Sequence, residues 1–444
     1  MPLIGAFMVP HPPLIIPSVG KGSEKQVAKT IDSYKKIAKE IQILKPETII
    51  VISPHSTCYR DYIHISPGKT AKGNFKDFNS NEEINVEYDT ELREKIIEIA
   101  KQNNFPAGVE GEKNKMLDHG TMVPLYYINE EYNKYKCIRI GVSDLPLKDH
   151  YRFGILIKKA IESINRNVVI VASGDLSHKL KEYGPYGYIK EGPIYDEMIM
   201  NTIAKADFKE LINYDKEFLE KVAVCGHQSF SIMAGTLDKK DVKVNVYSHE
   251  DITGVGYGIA SLYPIKEDYK RCFLESNDPY VKLAKETINT YINEKRIIEI
   301  PNNTPKELLE NKKGVFVTIY EFGELRGCIG TFMPTKNSIA KEIIDNAILS
   351  ATEDYRFNPI EKDELNNLEI KVDVLNTPEK INNKDELDPK KYGIIITQFN
   401  KRGLLLPDIE GVDTIEKQIS IAKQKGNIVG DNYEIERFTV KRHA

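Results

Sequence analysis

Three short apolar runs constrain the fold most. Leu3–Val9 (LIGAFMV), Thr48–Ile52 (TIIVI) and residues 168–172 (VVIVA) are apolar at consecutive positions, and the last two are β-branched almost throughout. Each is too short for a helix, and an unbroken apolar run of this length reads as a strand buried on both faces of a sheet. Helical periodicity fills the intervals at 24–44, with Ser23 as a candidate N-cap, at Thr90–Gln102 and at 149–164. A further strand is expected at 137–142, and closing strands at 243–248 and 256–263. Alternation of strand and helix predicts an α/β domain with a largely parallel or mixed central sheet.

Each of the three runs leads into a histidine. His11 follows the first, His55 the second and His178 the third, the last through Gly174-Asp175-Leu176-Ser177. Ligands of open α/β sheets sit beyond the carboxyl ends of strands, so three imidazoles far apart in sequence can converge there. His119, in Leu117-Asp118-His119-Gly120-Thr121, is a fourth candidate. Imidazole suits iron, zinc, copper and nickel. Any one of these histidines could instead be a hydrogen-bonded structural residue. His64, His150, His249 and His443 lack the shared setting and read as structural.

Composition narrows the function classes. With 62 Lys and Arg against 66 Asp and Glu, the net charge is −4, and the lysines are interleaved with acids. No attraction to nucleic acid or an anionic membrane follows. The apolar start MPLIGAFMVPHPPLIIP lacks a basic segment and is broken by prolines, so it does not read as a secretion signal. No run approaches the roughly 20 apolar residues of a membrane span, and a cytoplasmic protein is expected. The five cysteines, at 58, 137, 225, 272 and 328, form no CxxC pair, which argues against a disulfide framework or a structural zinc site.

Periodicity weakens over 266–278, which places a boundary near Asp278 and predicts domains at 1–265 and 275–444. The second opens with a helix at 280–295. Strands follow at 314–320, Leu368–Leu375, 392–397 and 403–406, and helices at 338–352 and 414–424. That order predicts a smaller α+β domain. Residues 325–330 read as a strand-turn segment with a cysteine between two glycines. Arg326 there is suited to clamping a carboxylate or phosphate, and an arginine near Cys328 would lower the thiol pKa. Tight packing around a small buried thiol is the alternative. Arg356, flanked by Tyr355 and Phe357, could share an anionic pocket. The glycine run 253–258 lacks the strand–loop–helix context of a nucleotide loop and reads as a turn.

The order and spacing of His11 in HPP, His55 in SPH, His119 in DHG and His178 in GDLSH resemble the class III extradiol ring-cleavage dioxygenases over residues 1 to about 264. The resemblance implies a mononuclear non-haem Fe(II), with His11 and His55 as ligands. It implies His178 as the acid–base group, His119 lining the pocket of a small aromatic or phenolic substrate, and Asp175 able to orient His178. The family's third ligand is a glutamate heading a helix. In this chain that position is Cys225, followed by Gly226 and His227, the latter a substitute ligand or pocket residue. A thiolate is softer than a carboxylate and admits zinc or copper beside iron. The His/His/Cys set resembles the Memo branch of the fold, for which a metal- or peptide-binding accessory role is the alternative to oxidative catalysis. Hydrolysis by zinc-bound water is a third reading.

Leu325-Arg326-Gly327-Cys328-Ile329-Gly330 resembles the AMMECR domain family, supported by residues 354–359 and 402–407. The fusion resembles the protein A class of the AmmeMemoRadiSam system, which implies a radical SAM protein as partner. Arg326, Cys328 and Arg356 are the expected pocket residues of this second domain.

Overall fold

Hydrophobic β-branched runs pair with one another because each buries both faces, and the computed structural model shows that pairing. It describes residues 2–112, 115–268, 276–381, 383–409 and 411–444. The chain divides into two units, Met1–Glu275 and Ser276–Ala444. Of the weakly patterned stretch 266–278, residues 269–275 lie outside the described residues, and Cys272 with them.

In the first unit, strand β1 (Leu3–Val9) is followed by α1 (Ala28–Leu44), β2 (Thr48–Ile52), α2 (Thr90–Gln102) and α3 (His119–Glu131). Then come β3 (Lys136–Ile140), α4 (Leu147–Ile164), β4 (Val168–Ser173), α5 (Glu191–Ala204) and α6 (His227–Thr236). Strands β5 (Lys240–Glu250) and β6 (Tyr257–Glu267) close the unit. The sheet order is β3-β2-β4-β1-β6-β5. The first four strands are parallel and the last two antiparallel, so the sheet is mixed. Strands β2, β4 and β1 are neighbours, with Ile52 opposite Ala172 and Val9 opposite Ser173. This adjacency brings the three strand-end loops to one place.

Two local expectations differ. The first helix starts at Ala28, and residues 23–27 wind as a 3-10 turn without a side-chain cap from Ser23. The cause is backbone: Gly22 sits at φ +104° and Val27 at φ −115°, ψ 42°, which the regular helix cannot absorb. Helix α3 escapes the periodicity argument because Pro124 lies inside it; Asp118 caps it through the Thr121 N–H. The glycine run is a turn at 251–254 leading into β6.

The second unit opens with α7 (Pro279–Glu294), capped by Asp278. Strands β7 (Val315–Glu321) and β8 (Glu324–Thr331), helix α8 (Ile339–Thr352) and β9 (Leu368–Leu375) follow. Then come β10 (Gly393–Gln398), β11 (Lys401–Leu405), α9 (Ile415–Lys425), β12 (Glu434–Phe438) and β13 (Val440–His443). One antiparallel sheet runs β8-β7-β9-β13, and a second contains β12-β10-β11. Helices α7 and α8 contribute to the core around the first sheet, and α9 to that around the second. Residues 325–330 are not a turn. They lie within β8, where the pairing with β7 shifts register at Arg326, between Gly327 opposite Ile319 and Leu325 opposite Tyr320, and the turn is Phe322-Gly323, both at positive φ (48° and 81°), the signature of a two-residue hairpin. Among the described residues, no helix is long and apolar enough to cross a membrane.

Candidate metal centre

His11 lies two residues beyond β1, and its backbone N–H donates to Asp175 Oδ1 at 2.8 Å. His55 follows β2 through Ser53 and Pro54. Their Nε2 atoms stand 3.0 Å apart, and Cys225 Sγ is 3.6 Å from His11 Nε2. The donor atoms of His11, His55 and Cys225 all lie within 4.8 Å of one another. Cys225 reaches them because two glycines touch: a Cβ on Gly174 would fall 2.1 Å from Gly226 Cα. That approach lets Gly226 N–H donate to Asp175 O at 3.1 Å and presses the thiol against the β4 loop, where Asp175 N–H donates to Cys225 Sγ at 3.2 Å.

Hydrogen bonding fixes which His11 nitrogen is free. Ser173 Oγ donates to Gly120 O at 2.6 Å, so it can only accept from His11 Nδ1 at 2.9 Å. The proton is therefore on Nδ1, and the Nε2 lone pair faces His55 and Cys225. Burial keeps His11 neutral, pushing its pKa well below the usual value, and His55, His119 and His178 add to the depression. Burial also lowers His55, with Asp118 opposing. Two lone pairs cannot face each other at 3.0 Å without a proton or a cation between them. Ligand bonds of about 2.0–2.1 Å to nitrogen and 2.3 Å to sulfur, at tetrahedral angles, separate donors by about 3.3 Å (N···N) and 3.6 Å (N···S). The N···S separation of 3.6 Å equals the second of these and the N···N separation of 3.0 Å is shorter than the first, as a proton shared between the two rings would also give, so the donor set can take up one ion with a small opening of the two imidazoles. Burial and the charge of Asp175 hold the Cys225 thiol well above its usual range, and ligation would have to displace its proton.

The remaining candidates surround this trio. His119 opens α3, its ring 4.2 Å from that of His55, 5.3 Å from that of His11 and 5.6 Å from that of Phe78; burial first, then His55, pushes its pKa to about 4. His178 stacks on Tyr186 at 5.0 Å. Its Nε2 is buried without a hydrogen-bond partner among the described residues, and burial pushes its pKa to about 4. Donor atoms of Asp175, His178 and Cys225 also lie within 4.8 Å of one another.

Asp175 does not hydrogen-bond His178. Its carboxylate is held by the His11 backbone N–H through Oδ1, with Oδ2 3.9 Å from His11 Nε2, and burial raises its pKa to about 7. His227 is not near the donor set as a ligand: both ring nitrogens are used, Nδ1 with Tyr195 Oη at 2.9 Å and Nε2 with Leu211 O at 2.8 Å.

Several contributors escaped sequence reasoning. Ser173, last in β4, sets the His11 tautomer. Ser53 Oγ donates to Asp118 Oδ1 at 2.5 Å, linking the His55 loop to the His119 helix. Arg139, fully buried in β3, holds Ser66 Oγ at 2.6 Å, Met116 O at 2.5 Å and Glu112 Oε1 at 3.0 Å, which anchors the segment before Asp118. A lone arginine inside the apolar run CIRIGV was the available signal.

In the second unit, Arg326 is occupied internally. It forms a two-pronged pair with Glu364 (2.6 and 3.1 Å) and donates to Asn358 O and Pro359 O. Cys328 does not have a lowered pKa: burial raises it and outweighs Thr318, Arg356 and Lys425, which lower it. Arg356 pairs with Asp354 at 2.6 Å and donates to Cys328 O at 3.1 Å.

The family model for the catalytic LigB subunit of aromatic ring-opening dioxygenases matches residues 5–260. The AMMECR1 model matches residues 281–443. A protein of Clostridium acetobutylicum is 40% identical over 466 residues, covering 100% of this chain and 99% of that protein. One of Thermotoga maritima is 51% identical over 168 residues, 37% of this chain and 97% of that protein. Among solved structures, a Pyrococcus horikoshii protein is 31% identical over 37% of this chain and 88% of that chain, with a TM-score of 0.35. An Escherichia coli K12 protein is 14% identical over 59% of this chain and 99% of that chain, with a TM-score of 0.40.

Proposed function

The chain belongs to the family of catalytic LigB subunits of aromatic ring-opening dioxygenases, fused to an AMMECR1 domain, and on that premise we propose that its first unit binds one iron(II) ion and oxidises a small aromatic or phenolic substrate. The observation that carries this reading is the convergence of His11 Nε2, His55 Nε2 and Cys225 Sγ within 4.8 Å. Iron bound there would supply the redox chemistry of ring opening. Neutral imidazoles suit the site because a ligand needs a lone pair. His178 is the acid–base group: burial keeps its imidazole neutral at neutral pH, so a ring nitrogen can take a phenolic proton. His119, backed by Phe78, supplies a flat wall for a ring. Asp175 positions His11 through its backbone and lies beside the thiol.

One observation favours a second reading. A thiol stands where the family's pattern has a carboxylate, which suits a softer metal and an accessory role in binding metal or peptide without turnover. The fusion itself supports a radical SAM protein as partner, of the kind grouped in AmmeMemoRadiSam systems; co-purification of the two proteins from one cell tests it.

The catalytic reading is tested by purifying the protein without oxygen, measuring bound metal by elemental analysis, and adding catechols with oxygen while following ring opening by ultraviolet absorption. Stoichiometric iron with cleavage by the wild type supports it. Metal without cleavage, and gain of cleavage in Cys225→Glu, overturns it in favour of the accessory reading.

A further inference from the structure

The three motifs of the second unit meet at one cavity. Cys328 from β8, Arg356 from the loop after α8 and Arg402 from β11 all line a space of about 770 Å³ whose wall is mostly apolar. That volume is within the usual range for small-molecule sites. Motifs separated by tens of residues would have no reason to share a cavity if each only stabilised its own turn.

The charges in this cavity do not cancel. Its lining carries five cationic and three acidic side chains. Arg356 is held by Asp354 at 2.6 Å, and Arg442 by Asp373 at 2.8 Å. Asp408 is within 3.9 Å of Arg442 and 3.7 Å of Lys390. Arg402 and Lys425 have no carboxylate partner among the described residues; Arg402 lies 5.4 Å over the Phe332 ring. Lys425 loses part of its water to the wall, which lowers its pKa, while Cys328 raises it and Arg356 lowers it further, so all three share this space. Between the cations, Phe316, Leu404 and Leu406 offer apolar surface.

We infer that this cavity binds a small organic oxyanion, a carboxylate or phosphate carried on an apolar body, with Arg402 and Lys425 on the anionic group and Arg356 beside them. A bare inorganic anion would leave the apolar wall uncovered, and a neutral ring would leave two cations unpaired. Cys328 lies on the same wall and reports on occupancy.

Calorimetric titration of the full-length protein with phenyl phosphate, phenylacetate, inorganic phosphate and benzyl alcohol tests this. One of the two aryl anions is expected to bind at one site per chain, at least about tenfold more tightly than inorganic phosphate or the alcohol. Whichever binds identifies the anionic group. Arg402→Gln and Lys425→Gln are each expected to weaken it at least about tenfold, while His11→Ala leaves it unchanged. In the wild type, the bound anion is expected to slow maleimide labelling of Cys328, read by peptide mass spectrometry; this holds even if a variant misfolds. Two results overturn the inference: no aryl anion binds more tightly than inorganic phosphate, or binding is lost in His11→Ala and kept in both cation variants.

Discussion

The donor cluster of the first unit and the cavity of the second use polar side chains in opposite ways. The cluster sits beyond the ends of three adjacent parallel strands, with His11 buried, Cys225 half-buried and His55 at the exposed edge. Burial comes first among the causes that depress His11, His55, His119 and His178. Desolvation strips charge from imidazoles and leaves lone pairs. The cavity lies among antiparallel strands, where alternate side chains reach water, and its arginines keep their charge beside carboxylates. The difference teaches that ligand class follows solvation: partly desolvated, neutral donors suit a cation, and wet, partly uncompensated cations suit an anion.

The strongest test of the contrast removes a donor. His11→Ala and Cys225→Ala are each expected to abolish stoichiometric metal, measured anaerobically against a competing chelator, and to leave anion binding in the second unit intact. Retention of full metal by both variants would break the comparison at its first term.

Acid should separate the units next. In the metal-free protein, His64, His119, His150, His178 and His227 are pushed down to about 4, and His11 well below its usual value, burial leading in each. Their folded pKa values lie below the unfolded value of about 6.5. Between about pH 6.5 and 4 the unfolded chain therefore binds more protons, and stability falls as pH falls. Asp175, held up at about 7, works the other way, as do the raised Asp196 and His249, but the depressed imidazoles outnumber them. In the second unit, Asp354 is held at about 2, chiefly by its hydrogen bond from Arg356. Its contribution is present above about 3.8 and is lost as pH falls toward 2. Hydrogen exchange read by peptide should show the first unit loosening at pH 5 while the second stays protected. Equal loosening would remove the solvation argument.

A smaller effect is expected from Ser173→Ala. The hydroxyl fixes the His11 tautomer, and loss of such a partner costs about 10–100-fold in metal affinity. No change in affinity would mean that the Nε2 lone pair is presented without it.

How much of this was legible in the sequence depends on what carried each residue. The strands could be read because β-branched runs leave few alternatives, and His11, His55 and His178 followed from the strand ends. Cys225 came from a resemblance alone, since nothing in its neighbours marks a thiol for that position. Ser173 was hidden at the end of an apolar run, where it reads as ordinary strand. For Asp175, proximity in sequence suggests His178, while its carboxylate is held by the His11 backbone N–H, 164 residues away. His227 was misjudged for the same reason: its partners come from other helices. Arg326 was read as a free clamp because a sequence does not say which carboxylate an arginine meets.

That last point supplies the smallest test. Arg326 and Glu364 are both largely buried, at 18% and 16% exposure. Glu364→Gln would keep one accepting oxygen for the guanidinium but remove the charge and the second acceptor, at a cost of about 1–2 kcal/mol. For a unit of this size the melting point should fall by about 2–8 °C. Because Arg326 does not line the cavity, binding of the aryl anion should be unchanged in the folded variant. If the variant keeps its melting point and loses the anion, Arg326 belongs to the ligand rather than to the fold, and the division between structural and binding arginines in the second unit has to be redrawn.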